Sequence, residues 1–358
     1  MNSSFEIGSR LIGRNEPPFI VAELSANHHQ DFDRAVSLVR AAADVGVDAV
    51  KLQTYTPDTM TLDCRSDCFW IRGTPWDGQR LFDLYRDAHM PWGWYDRLRP
   101  VADDLGLQLF STAFDGTAVD YLEQLGAPAY KIASFELVDL PLLKRVARTR
   151  KPVILSTGMG SLIEIREAVD TLREAGCRDL ALLKCTSAYP ALASEMNLRA
   201  IPHLADTFGV PVGISDHTLE PVVPVVAVTL GASIIEKHLT LSRSEPGPDT
   251  EFSLEPDEFK NMVNAVRTTM QALGSVRDGP TEREASSLKF RRSLFVVQDV
   301  LAGEPFTLDN VRSIRPGNGL PPRCLDEVVT RVAARSIARG TPLSWTLTAA
   351  AEAEATRR

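Results

Sequence analysis

Short apolar runs and amphipathic segments alternate along the chain from residue 19 to about residue 275. The runs are rich in Val, Ile and Leu and end in polar residues: FIVAELSAN, AVKLQTY, LQLFSTAF, AYKIASFE, PVILSTG, LALLKCTSAY, VPVGISDHT and ASIIEKHLT. Segments between them, such as DFDRAVSLVRAAADVGV and SLIEIREAVDTLREAGC, repeat apolar residues at helical spacing, with Asp31 and Ser161 as candidate N-caps. Eight apolar strands alternating with helices predict parallel strands that are buried on both faces.

Eight such units are typical of a (β/α)8 TIM barrel, which needs about 250 residues. A doubly wound open sheet is the alternative within the α/β class. It is disfavoured because no glycine-rich dinucleotide fingerprint follows the first strand. Residues 56 to 92 are too many for an ordinary loop, which predicts an excursion near the active face.

The pattern changes after Gly274. The stretch GSVRDGPTEREASSLKF is polar and predicts a linker, and short β-prone pieces follow from Arg291. Two of them, VLAGEPFTLDNV and IARGTPLSWTLT, share a Gly-x-Pro-apolar-Ser/Thr core. We therefore divide the chain into a barrel domain (1–275), a linker (276–290) and a small, mostly β domain (291–350).

Composition and charge narrow the class of protein. The 358 residues are 44% hydrophobic and 24% charged, as in globular proteins, and the net charge of -8 argues against nucleic acid as a partner. No apolar run approaches the roughly 18 residues of a membrane span, and MNSSFEIGSR lacks a signal-peptide core. The five cysteines are scattered, and Cys64 and Cys68 lack the second pair of a zinc site. We expect a cytoplasmic protein.

Polar groups collect where the predicted strands end, which is where TIM-barrel enzymes carry their chemistry. Every strand contributes: Glu23 and Asn27, Lys51 and Gln53, Thr112, Lys131 with Ser134 and Glu136, Ser156, Lys184 with Ser187 and Tyr189, His217, and Glu236 with His238.

A lysine at a strand end is usually a solvated terminus. Lys51 and Lys131, however, lie within apolar sequence, where an unpaired ammonium is costly and a bound anion would offset the cost. With the nearby hydroxyls they predict a phosphorylated ligand. Lys131 and Ser134 have opposite strand parity, so both reach the site only if the strand ends or bulges before Ser134.

Two of the six histidines, His217 and His238, end the seventh and eighth strands. These strands are neighbours in a barrel, so the two imidazoles can converge on one divalent ion. A satisfied core histidine is the alternative for either residue alone. Two imidazoles without an obvious third protein ligand favour an open coordination sphere, suited to polarising a carbonyl.

Motifs throughout the chain resemble the sialic acid synthase family. They are FIVAELSANH, DAVKLQTY, YKIASFE, ILSTGMGS, LLKCTSAYP, GISDHT, EKHLTLSR and GPDTEFSLEPDEF. RRSLFVVQDVLAGEPFTLDNVRSIRPGNGL is similar to that family's C-terminal antifreeze-like (SAF) domain. The resemblance runs from about residue 5 to 345 in the family's motif order. It implies a transferase that condenses phosphoenolpyruvate with an amino-sugar aldehyde to give a nine-carbon 2-keto sugar acid.

The resemblance also implies roles for individual residues. His217 and His238 match metal ligands, with Mn²⁺ expected first and Mg²⁺ or Co²⁺ as alternatives, and with Glu23 they match the catalytic group. The positions that match phosphoenolpyruvate ligands are Lys51, Thr112, Lys131, Ser134, Ser156 and Ser187. The positions that match the sugar side are Gln53, Glu136, Tyr189, Asp249 and Arg315. Arg315 matches an arginine that the SAF domain delivers to a partner subunit, which implies a domain-swapped homodimer.

Within the family, AELSANH, KLQTYTPDTMTLD, LFDLYRDAHMPWGWY and KIASFELVDLPLL look most like the branch that makes pseudaminic acid. Its acceptor is 2,4-diacetamido-2,4,6-trideoxy-L-altrose. The alternatives are the N-acetylneuraminate and N,N'-diacetyllegionaminate branches. Outside the family, a metal-dependent pyruvate aldolase and a non-enzymatic carbohydrate-binding protein remain less favoured.

Overall fold

Eight parallel strands close into a barrel in the computed structural model, which describes residues 3–351. They are β3 (Phe19–Glu23), β4 (Ala49–Thr54), β5 (Gln108–Ala113), β6 (Tyr130–Ile132), β7 (Val153–Ser156), β8 (Leu180–Cys185), β9 (Val212–Asp216) and β10 (Ile234–His238). Each pairs with its sequence neighbours, and β10 pairs with β3. The predicted TIM barrel is confirmed, and the open sheet is excluded.

Helices follow the strands, and all but α2 and α3 alternate with them around the barrel. They are α1 (Phe32–Asp44), α2 (Pro57–Met60), α3 (Leu81–Ala88), α4 (Trp94–Asp104), α5 (Gly116–Gln124), α6 (Leu140–Arg148), α7 (Leu162–Glu174), α8 (Ala200–Phe208), α9 (Val222–Thr229) and α10 (Pro256–Leu273). The predicted N-caps are present: Asp31 accepts from the backbone of Arg34 at 3.1 Å, and Ser161 forms a capping box with Glu164. Helices α2 and α3 lie in the predicted excursion after β4.

Strand side chains alternate between two cores. One core lies between strands and helices and includes Ile20, Val50 and Leu182. The other fills the barrel interior and includes Phe19, Phe110, Ile154, Ala181, Leu183 and Ile234. Strand parity therefore decides whether a polar residue at a strand end faces the barrel axis or the helices.

An N-terminal hairpin closes one end of the barrel. It pairs β1 (Ser4–Ile7) with β2 (Arg10–Gly13) and adds Phe5, Ile7 and Ile12 to the interior core. Asp48 anchors it, because this buried carboxylate pairs with Arg10 of the hairpin and with Arg267 of α10. The hairpin was not predicted, because four-residue strands give too short a pattern for a period to be seen.

The chain divides after Gly274 into two units. In the second unit β11 (Ser293–Val296) pairs with β12 (Val311–Ile314), and β13 (Arg331–Ala333) pairs with β14 (Thr348–Ala350). The unit has a core of its own that includes Leu294, Val296, Phe306 and Leu343. Two short helices, α11 (Glu282–Ala285) and α12 (Leu325–Val328), complete it. Helix α11 falls within the predicted linker.

Among residues 3–351 no helix is both long enough and apolar enough to cross a membrane.

Candidate active site

Two buried lysines face each other across the barrel interior. Lys51 lies on β4 and Lys131 on β6, and each is less than 5% exposed. Between them lies Glu236 of β10, whose Oε1 is 3.8 Å from the Nζ of Lys51 and 3.9 Å from the Nζ of Lys131. Lys51 also pairs with Glu23 of β3. The barrel interior therefore holds a cluster of four ionisable groups.

Hydroxyl groups on the next strands accept hydrogen bonds from the two lysines. Lys51 donates to Oγ1 of Thr112 at 2.9 Å, and Lys131 donates to Oγ of Ser156 at 2.7 Å. The carbonyl of Ile132 also accepts from Lys131, at 2.9 Å. Thr112 and Ser156 are thus held beside the ammonium groups.

The carboxylates of this cluster differ in their proton affinity. Burial raises the pKa of Glu23, although Lys51 opposes the effect. Burial also acts to raise the pKa of Glu236, but Lys131 and Lys51 outweigh it and hold that pKa below its usual value. Burial lowers the pKa of Lys131, with Glu236 opposing. The Oε2 atom of Glu236 is buried without a hydrogen-bond partner. Glu236 lies at nearly equal distances from both lysines and forms a close ion pair with neither.

Three polar groups meet beside Lys131. β6 ends at Ile132, and a 3₁₀ turn over Ser134–Glu136 follows. This early strand end resolves the parity conflict: Ser134 turns into the site and its Oγ accepts from the backbone N–H of Gly158 at 3.0 Å. A side chain at Gly158 would lie 2.2 Å from Oγ of Ser187 and 2.7 Å from Oγ of Ser134. The hydroxyls of Ser134 and Ser187 therefore pack closely against Gly158, where a larger residue would displace them.

The two histidines approach each other at the ends of β9 and β10. The ring centroids of His217 and His238 are 5.4 Å apart. Nδ1 of His217 lies 3.0 Å from the carbonyl of Thr186, whereas Nδ1 of His238 is buried without a partner. Burial lowers the pKa of His238 well below its usual value, which favours the neutral, metal-binding form. No group of three or more His, Cys, Asp or Glu residues in the described part of the chain is arranged to hold a metal.

Polar side chains continue the site toward its opening. Asp249 accepts from Ser25, and the amide of Gln53 donates to Oγ of that serine at 3.0 Å. Burial raises the pKa of Glu136 to about 7, and Oε2 of this residue is buried without a partner. The ring of Tyr189 lies 4.5 Å from that of His217.

These groups surround a cavity of about 360 Å³ at the carboxyl ends of the strands. Every predicted site residue of the barrel except Glu23 and Ser187 lines it. Glu23 and Ser187 each contact a residue that lines the cavity. Glu23 pairs with Lys51, and Oγ of Ser187 is 3.6 Å from Sγ of Cys185. Arg315 belongs to the second unit, after β12, and its role stays a prediction.

Several residues that line the cavity have no role predicted from the sequence: Ser25, Cys185, Ser215 and Phe252. Strand parity was the available signal for Cys185. It faces the interior, whereas its neighbour Lys184 points away and donates to the carbonyl of Cys185 at 2.8 Å. Ser215, one residue before Asp216, donates to Glu236 at 3.1 Å.

Comparison with known proteins places the chain in one family. The model of the NeuB family matches residues 38–278, and that of the SAF domain matches residues 291–347. Pseudaminic acid synthase of Helicobacter pylori is 44% identical over 92% of this chain and 97% of that protein. N,N'-diacetyllegionaminic acid synthase of Legionella pneumophila is 36% identical over 94% and 96%. The structure of N-acetylneuraminic acid synthetase from Leptospira borgpetersenii superposes with a TM-score of 0.72 at 30% identity, covering 81% of this chain and 97% of that one.

Proposed function

The chain belongs to the NeuB family, and from this premise we propose that it is a pseudaminic acid synthase. It condenses phosphoenolpyruvate and water with 2,4-diacetamido-2,4,6-trideoxy-L-altrose, giving pseudaminic acid and phosphate. The greater identity to a pseudaminic than to a legionaminic acid synthase supports this acceptor. One observation carries the reaction type: two buried lysines share one carboxylate beside a pocket of hydroxyls, which suits a small phosphorylated anion.

Phosphoenolpyruvate would lie over Lys51 and Lys131. Lys131 is the better placed to meet its negative charge, because the nearest carboxylate is 3.9 Å away and no closer ion pair to it is found among residues 3–351. The oxygens of phosphoenolpyruvate can accept hydrogen bonds from the hydroxyls of Thr112, Ser156, Ser134 and Ser187.

His217 and His238 would hold a divalent metal. The fit rests on two rings 5.4 Å apart, on the unpartnered Nδ1 of His238, and on the Thr186 carbonyl that orients His217. A bound metal of the Mn²⁺ class supplies a Lewis acid for the aldehyde oxygen of the open-chain sugar. Phe252 packs against His238, with ring centroids 5.0 Å apart, and keeps that side of the site dry.

The proposed reaction has two bond-forming steps. C3 of phosphoenolpyruvate attacks the aldehyde carbon, which leaves oxocarbenium character at C2. Water adds at C2, and the tetrahedral intermediate expels phosphate with cleavage of the C2–O bond. Glu23, the only carboxylate of the described chain paired closely with Lys51, is our candidate for positioning groups at C2. Asp249 and Glu136 hold polar groups of the sugar. Wild-type turnover in Glu23→Gln would remove Glu23 from the chemistry.

A homodimer is part of the proposal. The segments that follow β6, β7 and β8 expose large apolar side chains, namely Phe135, which lines the cavity, and Val138, Met159, Ile163 and Leu192. Such a rim favours cover by another protein surface. By the family resemblance this is the partner subunit, whose SAF domain brings Arg315 to the sugar. We expect the enzyme to act in the cytoplasm, where phosphoenolpyruvate is available.

A phosphate-release assay tests the proposal. The purified protein is mixed with phosphoenolpyruvate and, in turn, the trideoxy altrose, N-acetylmannosamine and the legionaminate precursor, each with and without chelator. Phosphate release is expected with the trideoxy altrose, with loss on chelation and recovery on adding Mn²⁺. Turnover of N-acetylmannosamine alone would disprove the acceptor. Pyruvate-dependent condensation without phosphate release would instead favour a metal-dependent aldolase.

A further inference from the structure

The cavity has two unlike sides. Ionisable groups of the strand ends form one side. The other is a surface that we name the apolar wall, made of Met60, Ile71, Leu81, Leu84, Tyr85 and Ala88. All six come from residues 57–88, the excursion between β4 and β5. Every residue of that segment is described, and none of its charged side chains lines the cavity.

Helix α3 supplies most of this wall. Leu81, Leu84, Tyr85 and Ala88 follow the i, i+3, i+4, i+7 spacing of an apolar helix face. Such a face normally packs on a protein core, yet the first three remain partly exposed here because they border the cavity.

The charged residues of α3 bind one another on another side of the helix. Asp83 accepts from Arg80 at 2.6 Å and from Arg86 at 2.8 Å. The apolar stripe of α3 is therefore directed at whatever fills the cavity.

The excursion is anchored across the opening of the site. Nε1 of Trp76 donates to the carbonyl of Pro248 at 2.9 Å, and the Trp76 ring lies 5.7 Å from that of Tyr189. The wall itself follows β4, whereas the two histidines end β9 and β10. In the closed strand order β4 is separated from β10 by β3 and from β9 by two strands. The wall and the histidines thus follow different strands of the barrel, and at least one strand lies between them.

We propose that the apolar wall determines acceptor specificity by receiving the C6 methyl group of a 6-deoxy amino sugar. This inference rests on the proposed function, which places the aldehyde carbon at His217 and His238 and so directs the other end of the sugar away from them. A methyl group that packs against Leu84 is removed from water, which is favourable for an apolar group. A C6 hydroxyl there would lose its water partners to an apolar surface, which is costly.

The experiment compares two acceptors that differ at C6 alone: the trideoxy altrose and its 6-hydroxy counterpart. Wild-type enzyme should prefer the 6-deoxy sugar by about 10- to 200-fold in kcat/KM, the range for one such group in an apolar pocket. Leu84→Asn should reduce that preference at least about 10-fold. KM for phosphoenolpyruvate should stay unchanged. The matched control is Leu62→Asn in the same segment, because Leu62 is 65% exposed and does not line the cavity.

The proposal is overturned if Leu84→Asn slows both acceptors by the same factor, or if wild-type enzyme does not distinguish them. Should Leu84→Asn fail to fold, Leu81→Thr gives the same readout with a smaller polar change at the same helix face. Failure of the proposed function looks different: wild-type enzyme then ignores the trideoxy altrose and uses another acceptor. The apolar wall can then be tested by comparing that acceptor with its 6-deoxy form. If the enzyme does not prefer the 6-deoxy form, the proposed role of the wall is rejected.

Discussion

Two buried lysine–carboxylate clusters lie on opposite faces of the barrel sheet and differ in their hydrogen bonding. On the helix side, Lys237 of β10 donates to Oδ2 of Asp216 at 2.6 Å and to the Thr218 carbonyl, while Oδ1 of Asp216 accepts from Thr218 at 2.9 Å. On the axis side, Glu236 lies 3.8 to 3.9 Å from two lysines and keeps one oxygen unpartnered. In the first cluster both charged groups are hydrogen-bonded within the protein, whereas in the second a carboxylate oxygen lacks a donor.

The two clusters show that burial of a charged group does not by itself indicate a functional site. Both clusters are almost fully buried, and both use the same residue types. What separates them is whether the carboxylate, Asp216 or Glu236, is hydrogen-bonded to a lysine within the protein. Substitutions in each cluster can therefore test the comparison separately.

The largest effect is expected for Lys131→Met. Removal of the cation nearest to the proposed phosphoenolpyruvate site should lower kcat/KM for that substrate by about 10²- to 10⁴-fold, the cost of losing a charged partner in a buried site. The free energy of unfolding should change little, because Glu236 keeps Lys51 as a neighbour. Steady-state kinetics and urea unfolding measure the two quantities. Lys184→Met, at a lysine that points away from the cavity, is the control.

Lys237→Met should produce the opposite result. Breaking a buried pair leaves Asp216 charged and unpaired, which should reduce the free energy of unfolding by about 3–5 kcal/mol. Turnover per folded molecule should stay close to wild type. Denaturant unfolding and kinetics at low temperature measure this. A variant of normal stability but without activity would show that Lys237 belongs to the chemistry, and would end the distinction between the two faces.

Gly158→Ala should weaken phosphoenolpyruvate binding without altering the lysines. The added carbon would lie 2.2 Å from Oγ of Ser187, so that the hydroxyl pocket beside Lys131 must open. We expect KM for phosphoenolpyruvate to rise about 10- to 100-fold, since one or two hydrogen bonds to a charged group are worth about 1.5–3 kcal/mol each. KM for the acceptor sugar should be unaffected. An equal rise in both constants would argue against a pocket dedicated to phosphoenolpyruvate.

The smallest effect is expected for Glu136→Gln, which should alter how the free energy of unfolding depends on pH. In the folded protein burial raises the pKa of Glu136 to about 7, above the 4.5 of an exposed glutamate. The unfolded chain therefore releases its proton first, and the stabilising effect of the bound proton is lost as pH rises from 4.5 through 7. Wild-type stability should fall by about 1–3 kcal/mol relative to the variant over that interval. If the free energies of unfolding of wild type and variant change in parallel across this pH range, the raised pKa of Glu136 is refuted.

How far the sequence predicts this site depends on the strand. Alternation along ASIIEKHLT places Glu236 and His238 inward and Lys237 outward, and the structure has them so. Continuous apolar runs located all eight barrel strands because parallel strands buried on both faces have no polar interruptions. Strand parity required β6 either to end or to bulge before Ser134 if both Lys131 and Ser134 reach the site, and β6 ends at Ile132.

Sequence reasoning was less successful where function depends on contacts between distant segments. Ser25 touches Asp249 only because the loops after β3 and β10 meet, and Trp76 reaches Pro248 from the excursion. Neither pair has a periodic signal. The apolar face of α3 was equally ambiguous, since a stripe that borders a cavity has the same spacing as one that packs on a core.

The N-terminal hairpin has a consequence for kinetics. Because Phe5, Ile7 and Ile12 fill the lower end of the barrel, small molecules reach Lys131 through the opening at the carboxyl ends of the strands. An acceptor sugar resting on Gln53 and Asp249 would stand in that path. We therefore expect compulsory order, with phosphoenolpyruvate entering first. An unreactive acceptor analogue should accordingly inhibit uncompetitively against phosphoenolpyruvate and competitively against the sugar.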